Sequence, residues 1–267
     1  MLLRIRKGVS NLFRYGNRTD VASDQSIALY PEDVFVVSYP RSGSTWTRFL
    51  LANLIQYDSG EPVDFHSVHR VIPAIDVAAN REMLRTMAPP RLIKCHFPYE
   101  SRFKRAIYIL RDGRDVMVSY YYYLTGQGRF EGSFLEFLKK RDLYPCLWHE
   151  HVESWLRRPN QCDVLLIRYE DLLRQTEIDL EKMAKFAGLP CDAKRVCWAA
   201  TNSRFDSMRK IEKKKGRAFG PTQDFEFVRK GIHGDWLNHF DDAHKEVFKS
   251  HANQTLLCFG YTESEDW

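Results

Sequence analysis

The chain has 267 residues, is 44% hydrophobic, and carries 40 basic against 35 acidic residues for a net charge of +5. That length and apolar content suit one α/β domain with a full core. The mild basic excess is no nucleic-acid profile but fits a local pocket for a polyanion. No run of 18 or more apolar residues is present, so no membrane-spanning helix is expected.

Residues 1–30 read as an N-terminal extension. Its first 16 residues are basic with scattered apolar side chains (Leu2, Leu3, Ile5, Val9, Leu12, Phe13) and lack the continuous apolar core of a signal peptide. Val34 to Tyr39 is a short β-branched run, read as a buried strand. Gly43 and its small neighbours break it. Trp46, Phe49, Leu50, Asn53 and Leu54 then recur at helical spacing to about Gln56. Leu92–Cys95 reads as a short strand. Arg105–Leu110 is another, followed by the polar turn Arg111–Asp115 and a helix over Val116–Leu124, with Asp115 expected to cap it. Asp163–Arg168 is the next strand. Tyr169-Glu170-Asp171 follows as a turn, then a helix to about Ala187, ended by Gly188-Leu189-Pro190. Residues 204–228, with Lys213-Lys214-Lys215-Gly216-Arg217 and Gly220-Pro221, break the pattern and are read as a mobile lid loop. Asp241–Phe259 is a terminal amphipathic helix. Alternating strands and helices predict a single domain with a central parallel sheet flanked by helices. Ligands then bind beyond the carboxyl ends of the strands, where the polar turns lie.

The six cysteines (Cys95, Cys146, Cys162, Cys191, Cys197, Cys258) show neither C-x-x-C nor zinc spacing. Reduced thiols, a cytoplasmic location and no metal site are expected.

The turn Tyr39-Pro40-Arg41-Ser42-Gly43-Ser44-Thr45-Trp46 joins a strand to a helix. Backbone N–H groups, the helix N-terminus, two hydroxyls and Arg41 make it a phosphate cradle. It is shorter than a Walker loop, and its basic residue precedes the glycine. Arg111 sits at a strand end with Ser119 further along the next helix, and an arginine fork suits a phosphate dianion. Arg229-Lys230-Gly231 places two cations beside a glycine.

Together, these segments resemble the cytosolic-type sulfotransferase family. The match runs through Tyr39–Trp46, Tyr108–Tyr121 and Arg229–Trp236, with lesser matches at Leu92–Pro98 and Ile167–Leu172. The resemblance implies a P-loop NTPase-like sulfotransferase fold. It also implies transfer of a sulfuryl group from 3′-phosphoadenosine 5′-phosphosulfate (PAPS), leaving adenosine 3′,5′-bisphosphate (PAP), to a hydroxyl, or secondarily an amine, of a small-molecule acceptor. Arg41, Ser42, Gly43, Ser44 and Thr45 would hold the 5′-phosphosulfate. Trp46 and Phe205 would flank the adenine, with Tyr169 and Ser203 against its edge. Arg111, Ser119, Arg229, Lys230 and Gly231 would hold the 3′-phosphate. His96 matches the family's general base, Lys94 a lysine near the transferring group, and Arg41 and Ser119 would act beside the leaving group. Phe65, His66, Phe97, Tyr99, Trp148 and His149 lie in segments that line the acceptor pocket in similar enzymes.

Two departures stand out. Arg41 replaces the family's usual lysine, so a planar, permanently charged fork takes the place of a point charge. The segment Leu237–Glu246 lacks the family's K-x-x-x-T-V-x-x-x-E dimer pattern. A monomer, or a dimer through another surface, is expected. The competing readings are a kinase-like phosphoryl-transfer enzyme and a PAP-binding protein without catalysis. The first needs a Walker lysine and a metal-holding aspartate, and neither is properly placed.

Overall fold

A computed structural model describes residues 27–157, 162–216 and 231–267. The expected strands form one four-stranded parallel sheet: β1 (Val34–Ser38), β2 (Leu92–Cys95), β3 (Arg105–Leu110) and β4 (Asp163–Arg168), in the order β2-β1-β3-β4. The helices are α1 (Ser44–Gln56), α2 (Val68–Val71), α3 (Ala78–Thr86), α4 (Gly113–Gly126), α5 (Phe134–Lys139), α6 (Trp148–Leu156), α7 (Tyr169–Arg174), α8 (Thr176–Ala187), α9 (Ala193–Asn202), α10 (Phe205–Lys215) and α11 (Asp242–Cys258).

Successive strand residues point to opposite faces. Phe35, Val37, Ala106 and Tyr108 therefore join one core with Val116, Val152 and Phe248 from α4, α6 and α11. Val34, Val36, Ile107 and Ile109 join the other with Phe49, Leu180 and Ala199 from α1, α8 and α9. Both faces are covered, which explains why β1 is apolar at consecutive positions.

After β1 the chain adds β2 on one side, and β3 then pairs on the other side of β1. The topological switch point thus falls at the carboxyl end of β1, where the turn Tyr39–Gly43 leaves the sheet.

Local details depart from expectation. Asp112, not Asp115, caps α4, accepting from the Arg114 N–H at 2.9 Å. Asp115 is free for another task because it lies one turn inside. Tyr169-Glu170-Asp171 opens α7 instead of forming a turn, and the helix expected to reach Ala187 breaks at Gln175 into α7 and α8. Residues 205–215 of the anticipated lid form a helix rather than a loop. Lys213, Lys214 and Lys215 fall in its last turn, where cations suit the helix dipole. Residues 217–228, with Arg229 and Lys230, and residues 1–26 lie outside the described residues. No helix among the described residues is long and apolar enough to cross a membrane.

Candidate active site at the switch point

The exits of β1, β2, β3 and β4 converge. The turn after β1 reverses tightly, with Ser42 N–H donating to Tyr39 O at 3.2 Å. Arg41 is the single non-glycine described residue at positive φ (70°), and Gly43 follows at φ 98° as the N-cap of α1. Gly43 is required twice over. Its backbone is left-handed, and a Cβ there would come within 2.6 Å of the Tyr169 ring at the exit of β4.

Arg111, at the exit of β3, has its guanidinium 4.5 Å from the centre of the Tyr169 ring. It donates to Arg41 O at 3.0 Å and to Ile232 O at 3.1 Å. Ser119, on α4, accepts from Arg41 Nε at 3.2 Å, and the Arg41 guanidinium also lies 4.6 Å from the Tyr123 ring centre. The segment after Gly231 is fixed to the same helix. Asp115 accepts the N–H groups of Gly234 and Trp236 at 2.7 and 2.9 Å. This anchor was not foreseen from the sequence; an aspartate inside a first helical turn reads as a cap.

Trp46, on α1, donates to Ser203 O at 3.0 Å, and the Ser203 hydroxyl accepts from Asn53 at 2.9 Å. The Trp46 and Phe205 rings face each other at 5.0 Å and 35°. A flat ring inserted between them needs about 7 Å, two van der Waals contacts, so such a ring binds only after they part. Gly231 packs directly on Phe205: a Cβ there would approach the ring to 2.8 Å.

The hydroxyls of Ser38, Ser42 and Ser44 and Nε of Arg111 are buried without a hydrogen-bond partner. Buried polar atoms rarely stay unpaired. Four of them gathered on the exits of β1 and β3, next to a helix N-terminus, fit a bound anion with several oxygens. The residues present therefore suit a phosphate- or sulfate-bearing nucleotide.

Beyond the end of β2, His96 Nδ1–H donates to Ser38 O at 2.6 Å. That bond fixes the tautomer, leaving Nε2 as the proton-accepting nitrogen. Burial, reinforced by the Lys94 charge, pushes the imidazolium pKa down to about 3. Fully buried His151 donates from Nε2 to His96 O at 3.1 Å and accepts from the Tyr108 hydroxyl at 2.8 Å. Lys94 is buried in an ion pair with Asp76 at 2.5 Å. Nothing in the sequence marks Asp76, because the pairing spans 18 positions and joins a loop to a strand.

The anticipated acceptor-pocket residues scatter. Phe97 is buried beside His96, its carbonyl accepting from Trp155 at 2.9 Å, and Tyr99 lies edge-on to Trp155. Phe65 packs on Phe49 in the opposite core, and His66 is exposed at the end of α10, 3.1 Å from Lys215 O. Trp148 and His149 are not brought to His96. Trp148 lies under Gly113 and beside Phe248, and His149 faces His251 of α11. His151 takes the inward side of α6, and a residue two positions earlier points the other way.

Among the described residues, no group of three or more His, Cys, Asp or Glu side chains could hold a metal ion. Residues 31–260 match the family model of the sulfotransferase domain. Mouse sulfotransferase 2B1 is 28% identical over 82% of this chain and 70% of its own length. Bovine sulfotransferase 1A1 is 28% identical over 85% and 84%. The solved structure of mouse sulfotransferase SULT7A1 complexed with PAP superposes with a TM-score of 0.68 at 25% identity, covering 88% of both chains. Retinol dehydratase in complex with androsterone and PAP shares the fold, with a TM-score of 0.69 at 21% identity.

Proposed function

The chain belongs to the sulfotransferase family and transfers a sulfuryl group from PAPS to a small-molecule acceptor; within that activity, we propose that His96 is the general base and that the Tyr39–Trp46 turn with Arg111 and Ser119 holds the donor. The observation that carries this reading is the His96–Ser38 bond. It ties the base to the last residue of β1, directly before the donor turn, and leaves Nε2 able to take a proton.

PAPS supplies the sulfuryl group, which passes from the bridging phosphate oxygen to the acceptor oxygen in an in-line displacement. The residues of this chain do the rest. Backbone N–H groups of residues 43–45 and the hydroxyls of Ser42 and Ser44 bind the 5′ anion. Arg41, oriented by Ser119, places fixed positive charge beside the leaving oxygen. An arginine cannot give up its proton, so its contribution is electrostatic. Arg111 and Ser119, with Gly231, hold the 3′-phosphate. Arg229 and Lys230, although outside the described residues, belong to the same binding motif by sequence. Trp46, Phe205, Tyr169 and Ser203 hold the base. Phe97 and Tyr99 line the acceptor side. His96 removes the acceptor proton, and its low pKa keeps it unprotonated at neutral pH while making it a weak base, so the proton moves as the acceptor oxygen bonds to the sulfuryl group. No disulfide joins the described cysteines, which suits a reducing cytoplasm.

Calorimetric titration with PAP, together with labelled-PAPS turnover against an acceptor panel, tests the reading. Tight PAP binding that Arg111→Ala weakens, and turnover that His96→Ala abolishes without loss of PAP binding, are expected. PAP binding indifferent to Arg111→Ala would sink the donor assignment.

A further inference from the structure

Lys94 lies in the last two residues of β2 and His96 directly follows its end, close enough for the Lys94 charge to act on the imidazole. Lys94 is buried and its ammonium meets Asp76 Oδ2 at 2.5 Å. The same oxygen lies 3.4 Å from the Tyr144 hydroxyl, which donates to it. The second carboxylate oxygen, Oδ1, is buried with no hydrogen-bond partner. Arg48, in α1, is the second cation near the carboxylate. Its Nη2 donates to Ile72 O at 2.5 Å, its Nε is also unpartnered, and its charge acts on both Lys94 and Asp76.

A carboxylate kept buried with one oxygen unsatisfied is poorly explained by stability. Apolar residues of like volume often serve a core as well as a buried ion pair. Its charge does have a local use. Lys94 sits among groups that disfavour its ammonium, a desolvating core and Arg48 from α1, with the neutral imidazole of His96 just past its own strand end. Asp76 is the anion that faces it from the segment after α2, while Cys95 points to the opposite face of the sheet. We propose that Asp76 is a positioning residue that locks the Lys94 ammonium beside His96, so that a fixed positive charge faces the oxygen from which His96 takes the proton.

This inference rests on the sulfotransfer reading, and it assigns a task to the Asp76–Lys94 pair within that site. Without the carboxylate, the buried lysine loses the charge that favours its protonated form. Burial lowers the Lys94 pKa, Asp76 opposes that effect, and the net direction is already downward. Asp76→Asn therefore brings deprotonation of Lys94 towards neutral pH. The same change removes the negative charge that holds the His96 pKa up, so His96 stays neutral and only the alkaline side of the site's behaviour moves.

The test follows the side-chain nitrogen resonance of Lys94 in isotopically labelled full-length protein as pH is raised, with the Lys94→Met spectrum assigning the signal. In the wild type, Lys94 is expected to remain protonated through neutral pH. In Asp76→Asn its midpoint is expected to fall by at least about one pH unit, and Asp76→Glu is expected to restore it. Identical midpoints in wild type and Asp76→Asn would overturn the proposal. So would a wild-type Lys94 that is already deprotonated at pH 7, which needs no variant to fold. PAP binding measured on the same samples separates the two readings. A wild type that fails to bind PAP defeats the sulfotransfer assignment, whereas normal PAP binding with an unmoved lysine defeats only the role of Asp76.

Discussion

On the donor side of the site, the hydroxyls of Ser38, Ser42 and Ser44 and Nε of Arg111 are buried without partners, and Arg41 is held at positive φ. On the base side, Lys94, His96 and His151 each have a charged or hydrogen-bonded partner within 3.1 Å. The donor side thus carries unmet hydrogen bonds that a polyanion would satisfy, next to one strained backbone position. On the base side the three reactive side chains are already held, and the unpartnered atoms, Asp76 Oδ1 and Arg48 Nε, lie behind them. Under the proposed roles, affinity for the donor would come from deferred satisfaction and reactivity from preorganisation.

The largest expected effect attacks the preorganised side. His96→Ala should lower kcat by ~10²–10⁴-fold and leave PAP affinity, measured by calorimetry, unchanged; a matching loss of PAP affinity would erase the division between the sides. Arg41→Ala should reduce PAPS turnover by ~10²–10³-fold, and unchanged turnover would show that the arginine fork has no part at the leaving group. At pH 5 an imidazole with an ordinary pKa near 6.5 would be mostly protonated and its enzyme about 30-fold slower. With the His96 pKa at about 3, the base is neutral above that value and protonated only below it. kcat/KM should therefore hold nearly level from pH 8 to pH 5, and a steep fall centred near pH 6.5 would place the base elsewhere. Gly43→Ala forces a Cβ against Tyr169 on a left-handed backbone and should cost about 1–3 kcal/mol of stability, read as a lowered Tm together with weakened PAP binding. The smallest effect sharpens the contrast by reversing sign. Arg41→Gly should raise stability by up to about 1 kcal/mol, because glycine adopts the left-handed region without penalty, while turnover still falls.

The two sides also differ in how much of them the sequence discloses. The donor turn is contiguous, and its small residues and helix entry are local facts; Gly43, Trp46 and Arg111 sit where their spacing suggests. The parallel sheet is legible for the same reason, since β1 and β3 are apolar at consecutive positions. The base side depends on pairs drawn from separate elements. Nothing adjacent to Asp76 or His151 marks them as partners of Lys94 or of the His96 carbonyl. Asp115 reads as a cap because local chemistry favours that use, and only the fold shows it anchoring the N–H groups of Gly234 and Trp236 over 100 residues away. His149 is two positions from His151 on α6, which sends its side chain to the opposite flank, and Trp148, on the His151 side, is taken up by packing against Gly113 and Phe248. Lys213–Lys215 misleads because a run of cations looks like solvated loop, although the same residues suit the end of α10.

The bond between His96 and Ser38 O has a consequence for how such a site can diversify. Ser38 ends the strand at the middle of the sheet, paired with Ile109 on β3. The base and the donor turn therefore share one anchor, and their separation is a property of the sheet rather than of any loop. Segments lining the acceptor side can be exchanged, lengthened or recoloured in polarity without moving the proton acceptor relative to the donor. If His96 is the base, new acceptors would be reached by editing the walls, with the reaction geometry inherited intact.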